Sequence, residues 1–168
     1  MVRLDDLRRI HLLKDMPTHM LQKIASEAQL NIFSTGTVLF QKGESIDYLY
    51  LVLMGQVALE IELSPELNVI LSTIHPGYTF GVSSLVSGAR ASSSAICQEP
   101  CEVISLPVER LNVLFQEDPS LGYHFMHRLA RIFQKIMASR TQMIMKTLDQ
   151  HPEFQEDLGD LRHLAPVL

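Results

Sequence analysis

Cysteine is nearly absent from this chain of 168 residues: there are two, Cys97 and Cys101. That excludes a disulfide framework and a four-thiolate metal or iron–sulfur site. Four residues apart in a stretch that reads as strand, the two thiols face the same side but not each other, and as unpaired cysteines they read as small core hydrophobes. A surplus of basic charge is missing too. The net charge is −5, which argues against a general nucleic-acid binder, whose surface carries a basic face. No apolar run is long enough to span a bilayer, and an N-terminus holding Arg3, Asp5, Asp6, Arg8 and Arg9 is no signal peptide. A cytoplasmic protein without a membrane partner is therefore expected. What the chain does have is 46% hydrophobic residues, enough to fill a core and to make disorder a poor default.

Hydrophobic spacing divides the chain into three stretches. Leu4, Leu7, Ile10 and Leu13, then Leu21, Ile24 and Ala28 after Pro17, recur at helical spacing and predict two short helices, the second opened by Pro17 or Thr18. From Asn31 the period changes to two. Val38, Phe40, Leu49, Leu51, Leu53, Val57, Leu59, Ile61, Val69 and Leu71 alternate with other residues, punctuated by Gly55, Pro65, Gly77 and Gly81, as in an antiparallel sandwich or roll. Within the run Phe33–Gly55, the glycines Gly36, Gly43 and Gly55 stand where tight turns need positive φ, so the run reads as hairpins. Two further strands, Ser92–Cys97 and Cys101–Leu106, are joined by the turn Gln98-Glu99-Pro100, with an irregular loop between Gly81 and the first of them.

The third stretch is helical. Pro107 opens a short helix through Phe115, and Asp118-Pro119 opens a long one to about His151, where Pro152 stops it. Phe125, Leu129, Ile132, Ile136 and Met143 recur at spacings of four, three, four and seven, which is a coiled-coil seam, and a stripe of Met126, Phe133, Met137, Ile144 and Leu148 adjoins it. One small roll cannot bury both stripes, so a homodimer is expected, with Phe125, Leu129, Ile132, Phe133, Ile136 and Met143 at its interface. The cations Arg128, Arg131, Lys135, Arg140 and Lys146 read as the solvated flank of that coiled coil rather than as a DNA surface, and Met126, Met137, Met143 and Met145 as core or interface filler.

Leu7-Arg8-Arg9-Ile10, the Phe33–Gly55 run, His75-Pro76-Gly77, Phe80-Gly81 and Cys101-Glu102-Val103 ahead of a long terminal helix resemble the cyclic nucleotide-binding domain, more narrowly the effector domain of the bacterial CRP/FNR regulators, over residues 4–148. The resemblance implies a mainly β, α+β fold: a double-stranded β-helix or jelly roll with N-terminal helices over residues 1–118, a dimerisation helix over 119–151 and a tail over 152–168. It also implies a phosphate-binding cassette between two strands. In the family the cassette begins Gly-Glu and ends Arg-Ser/Thr-Ala, and backbone N–H groups and the guanidinium hold the cyclic phosphate while the Glu takes the ribose hydroxyl. Here the Glu position holds Val82. Counted back from Cys101 without a gap, the Arg position holds Ala91, with Arg90 one place earlier and Ser92 at the hydroxyl position. A one-residue offset in a strand turns a side chain to the opposite face. The place where relatives offer the purine a hydroxyl falls at Ile136 and Met137, neither of which can hydrogen-bond a base edge.

The expected function is therefore a non-enzymatic regulatory ligand sensor that signals through a dimer helix, with a degenerate cassette in which Gly81, Val82, Ser83, Ser84, Arg90, Ala91, Ser92, Ile136 and Met137 surround the ligand, whether cAMP or another small anion. The alternative is an interaction and dimerisation module with a vestigial pocket. Partners are a second copy, a small-molecule effector and a downstream protein. Sixteen residues follow Pro152, too few for the winged helix-turn-helix of the regulators, so no direct contact with nucleic acid is expected. Other chemistry finds no support. Ser92, Ser93 and Ser94 have no base nearby and no Gly-x-Ser-x-Gly elbow, and His124 and His127 have no third ligand close in sequence.

Overall fold

Pro17, whose missing N–H costs nothing at a helix start, opens the second of two short N-terminal helices, α1 (Leu4–Arg8) and α2 (Thr18–Glu27). Leu7, Ile10, Leu13, Leu21 and Ile24 are all fully buried, as their spacing requires. The computed structural model describes residues 2–64, 67–85 and 90–150, the last four by backbone only. The expected turn at Pro65, the loop residues 86–89, the end of the long helix at His151 and the tail lie outside the described residues. The chain divides into two compact units, Met1–Met126 and His127–Leu168.

Among the described residues, eight strands form two four-stranded antiparallel sheets. β1 (Gln29–Phe33), β8 (Cys101–Pro107), β3 (Tyr48–Met54) and β6 (Thr79–Phe80) make one in that order; β2 (Val38–Phe40), β7 (Ser94–Cys97), β4 (Val57–Ser64) and β5 (Leu67–Ile74) make the other. The inner faces meet in a core of Phe40, Tyr50, Val52, Val57, Phe80, Ala95, Cys97 and Val103, while the alternate residues Leu49, Leu51, Ile104 and Leu106, on the opposite face of the first sheet, are buried as well. Burial alternates cleanly along β7, whereas β3 and β8 are buried on both faces and the far end of β4 is exposed on both.

The hairpin reading of Phe33–Gly55 is overturned. β1 pairs with β8, β2 with β7, and β3 with β8 and β6, so Gly36 and Gly55 turn corners from one sheet to the other, and Gly43 closes a loop. All three have the positive φ that the sequence demanded, but spacing fixes only the need for a turn, not which strand lies across from it. Among the described residues, β4 and β5 are the one consecutive pair of strands hydrogen-bonded to each other. The cysteines need a similar correction. Cys97 ends β7 in one sheet and Cys101 starts β8 in the other, so they lie across a turn rather than along one strand, and the two side chains are hydrogen-bond neighbours. Both are buried, and burial with the nearby second thiol pushes Cys97 up to about 12. These are inert core thiols.

Pro107 precedes α3 (Val108–Glu117), and Asp118 opens α4 (Pro119–Gln150) by accepting the Leu121 N–H at 3.0 Å through Oδ1. Gly122 lets the start of α4 lie close to α3, since a Cβ there would come within 3.0 Å of Phe115 Cβ. Phe125, expected in the dimer seam, is instead fully buried with its ring 5.1 Å from that of Phe115. Its place is in its own chain's core, because α3 reaches it first. Leu129 is also buried, whereas Phe133, Ile136, Met137, Met143 and Ile144 are exposed.

Ion pairs fasten the helices. Arg110 donates two hydrogen bonds to Glu27, of 2.7 and 3.1 Å, and Lys23 donates to Asp118 at 2.7 Å, tying α2 to α3 and to the start of α4. Arg3 grips Asp6 in the same forked way. Hydrogen bonds from Arg3, Arg110 and Lys23 hold the carboxyls of Asp6, Glu27 and Asp118, respectively, below their ordinary values. A carboxyl whose pKa is lower folded than unfolded adds stability above its unfolded value and loses it as pH falls through the folded one. The melting temperature should therefore drop below about pH 4, where free carboxyls protonate. Arg110→Ala should soften that drop; an unchanged acid profile in a thermal melt would remove Glu27 from the account.

Candidate functional site

The cassette begins where β6 ends. Gly81, with φ +77°, turns the chain beneath Tyr48, where an added Cβ would fall 2.9 Å from the Tyr48 carbonyl oxygen and 3.2 Å from the Tyr50 ring. Only glycine combines that conformation with that approach. A single 3₁₀ turn, Val82–Leu85, follows. Its hydroxyl and amide are partly spent on itself: Ser84 donates both its N–H (3.1 Å) and its Oγ–H (2.6 Å) to the Gly81 carbonyl. Val82 and Ser83 are half-buried in the same turn.

On the far side of the loop the offset between Arg90 and Ala91 is explicit. Ala91 is buried among Phe40, Ile46, Tyr50 and Phe80, with its methyl in the core of the roll. Arg90 is exposed, and its Nη1 donates to the Gly43 carbonyl at 2.9 Å. Backbone bonds lock this register: Gly43 N–H to Ala91 O and Ala91 N–H to Glu44 O, each 2.8 Å, with an antiparallel bridge between Ser45 and Arg90. Ser92 is exposed and Ser93 buried, while Ser94 Oγ accepts the Lys42 N–H at 3.0 Å. Of the residues expected around a ligand, the structure brings Gly81, Val82, Ser83 and Ser84 into one turn and turns Arg90 away from the interior. Ile136 and Met137 lie in the second compact unit, on the exposed run of α4.

Sequence reasoning missed the aromatic filling of the roll. The rings of Tyr50 and Phe80 stack 4.9 Å apart at an interplanar angle of 13°, and Phe40 sits 6.0 and 6.1 Å from them. Burial pushes the Tyr50 phenol above its ordinary value. The available signal was an aromatic at an inward position on each of three strands, Phe40, Tyr50 and Phe80, two of them directly paired, Tyr50 with Phe80. Among the described residues, no group of three or more His, Cys, Asp or Glu side chains could hold a metal ion, and no helix is long and apolar enough to cross a membrane.

This arrangement has known counterparts. The chain is 25% identical over 115 residues to the cAMP-activated global transcriptional regulator CRP of Pasteurella multocida, covering 68% of this chain and 55% of that protein. It is 28% identical over 119 residues to the global nitrogen regulator of a Synechocystis strain, covering 69% and 50%. It thus spans about half the length of the curated relatives it matches. Among solved structures, a protein from Geobacter metallireducens described as cyclic nucleotide-binding superposes with a TM-score of 0.69 at 28% identity, over 78% of this chain and 95% of that one. The Thermus thermophilus catabolite activator protein has the same fold, with a TM-score of 0.65 at 24% identity over 79% and 62%. The family description "cyclic nucleotide-binding domain" matches residues 30–118, from β1 through the end of α3, and with the roll and cassette in the order described, the chain belongs to that family.

Proposed function

We propose that this chain is a regulatory, ligand-sensing domain of the CRP type whose cassette does not take a cyclic nucleotide in the family's manner, and that it signals through pairing of α4 with a second copy. In this reading residues 1–118 are the sensing roll and 119–151 the pairing helix, and the domain binds rather than catalyses. The names of its relatives, a transcriptional regulator and nitrogen regulators, support a regulatory role. The observation that carries the reading is the register at Arg90 and Ala91: the one guanidinium of the loop is spent on the Gly43 carbonyl, and a methyl stands in its place inside. With Val82 in place of a carboxylate, a cyclic nucleotide forfeits its charge-assisted partners, each worth about 1.5–3 kcal/mol.

A thermal-shift titration tests this. Ligand at a hundred times its Kd stabilises the native state by about 2.7 kcal/mol, several degrees for a domain of this size. We expect no saturable rise with cAMP or cGMP, and the same flat response from Arg90→Ala. A rise with cyclic nucleotide that Arg90→Ala abolishes overturns the reading. Within it, small anions and apolar acids decide the rest. A rise with one of them identifies the effector class, whereas a flat response throughout favours the interaction module, for which the filling by Phe40, Tyr50 and Phe80 speaks.

A further inference from the structure

From Pro119 to Lys146, α4 contains no carboxylate, in a chain whose net charge is −5, and its cations Arg131, Lys135, Arg140 and Lys146 are all exposed. Within the compact unit that starts at His127, the apolar side chains of the helix fall on two lines. Ile132, Ile136 and Met143 make one, the seam proposed for a second copy. Phe133, Met137, Arg140 and Ile144 make the other, at spacings of four, three and four, and at 3.6 residues per turn its centre lies roughly 90° round the helix from the first. All four of its members are exposed, Met137 by 64% and Ile144 by 60%. A two-stranded pair buries one seam, with Phe133 at its margin, and leaves Met137, Arg140 and Ile144 outside. In a parallel pair each g position faces the e position of the next heptad on its twin, which sets Lys135 beside Arg140 of the partner subunit and adds a cation to the edge of the second line.

We infer that this second line is a docking surface for an acidic amphipathic helix of a downstream protein, one that lays its apolar stripe on Phe133, Met137 and Ile144 and sets a carboxylate on Arg140. Charge selects the occupant. A further copy of α4 brings only cations to the same place, because the helix holds no carboxylate between Pro119 and Lys146. A lipid surface fits the apolar members of the line but not its centre: an interfacial helix keeps its basic residues on the polar face, whereas Arg140 stands between Met137 and Ile144. Nucleic acid would satisfy the cations and leave the apolar side chains in water. A carboxylate set within an apolar helix face meets both demands, since a guanidinium takes it in a forked, charge-assisted bond and the flanking apolar contacts exclude water from that bond. The inference names the downstream partner of the regulatory reading proposed above and rests on the pairing of α4 within it.

The test uses the full chain and two synthetic helical peptides of about three heptads, both with leucine at a and d, one with glutamate and the other with lysine at e and g. Fluorescence anisotropy of the labelled peptides reads docking, and sedimentation equilibrium reads self-association. At about 50 mM salt, where charges act over more than 10 Å, the chain should bind the glutamate peptide about tenfold more tightly than the lysine peptide and remain a dimer while doing so. Arg140→Glu should abolish or reverse that preference. M137A and I144A combined should weaken the glutamate peptide about tenfold and leave the dimer dissociation constant within about twofold, because neither residue lies in the seam. No binding of the glutamate peptide, equal affinity for the two peptides, a preference that survives Arg140→Glu, or a dimer that dissolves as peptide binds overturns the docking surface and leaves the pairing standing. Binding to phosphatidylglycerol vesicles but to neither peptide overturns it in favour of lipid. A chain that stays monomeric at every concentration without peptide overturns the pairing of α4, and this inference with it.

Discussion

Gly55→Ala is expected to cost about 3–5 kcal/mol, enough to threaten a domain whose whole stability is on the order of 5–15 kcal/mol. Two penalties coincide at the corner between β3 and β4. The backbone has φ +83°, where an L side chain is strained by about 1–3 kcal/mol. The added methyl would also press on the Pro100 carbonyl oxygen and lie 2.7 Å from Cys101 Sγ and 2.9 Å from Cys101 Cα. The backbone atoms cannot step aside, because they begin β8, the strand on which β1 and β3 both pair. Overpacking of this kind costs about 1–3 kcal/mol more. Gly36→Ala separates the two penalties: its φ is +79°, but nothing lies within 4 Å of the added carbon, so only the conformational part, about 1 kcal/mol, should appear. Urea unfolding midpoints of the two variants measure the difference, and equal midpoints would mean that the corner is not packed as described.

Phe125→Ala should be comparably severe, at about 3–5 kcal/mol for a fully buried phenylalanine. Its ring lies against Phe115 on α3, one turn after Gly122 admits that helix, so truncation opens a cavity that the α3–α4 contact cannot close. Phe133→Ala, two turns further along, removes an exposed ring and should leave the unfolding midpoint of the roll within about 0.5 kcal/mol while weakening self-association. The pair of measurements divides α4 into a part that belongs to the roll's core and a part available to a partner. If Phe125→Ala changed self-association and left unfolding untouched, the seam would start one heptad earlier than its burial indicates.

The strands were legible because they obey period two and are bounded by glycines that need positive φ: Gly36, Gly43, Gly55, Gly77 and Gly81 all have it. Pairing was not legible. The alternation of Leu49, Leu51 and Leu53 says that one face is buried and is silent about whether β4 or β8 lies alongside, since that depends on contacts fifty residues away. At the site, the ungapped count from Cys101 put Ala91 at the guanidinium position while keeping Arg90 among the residues expected around the ligand; the structure buries Ala91 in the roll and turns Arg90 outward. The partner that takes up Arg90, the Gly43 carbonyl, could not be foreseen, as a backbone acceptor leaves no trace in residue type. Phe125 misled for the opposite reason: a seam residue and a core residue share one helical spacing, and only α3 distinguishes them.

The order of strand pairing also governs how this protein is made. Gln29 pairs with Ser105 and Val38 with Ile96, so the first strands to leave the ribosome have no partners until the last ones follow. At 5–20 residues per second, β1 waits about 4–14 s for β8 as an unpaired strand. Nascent chains stalled before Cys101 should consequently leave β1 protease-sensitive while β2, β7, β4 and β5 can already pair, and protection of β1 should arrive only as β8 emerges.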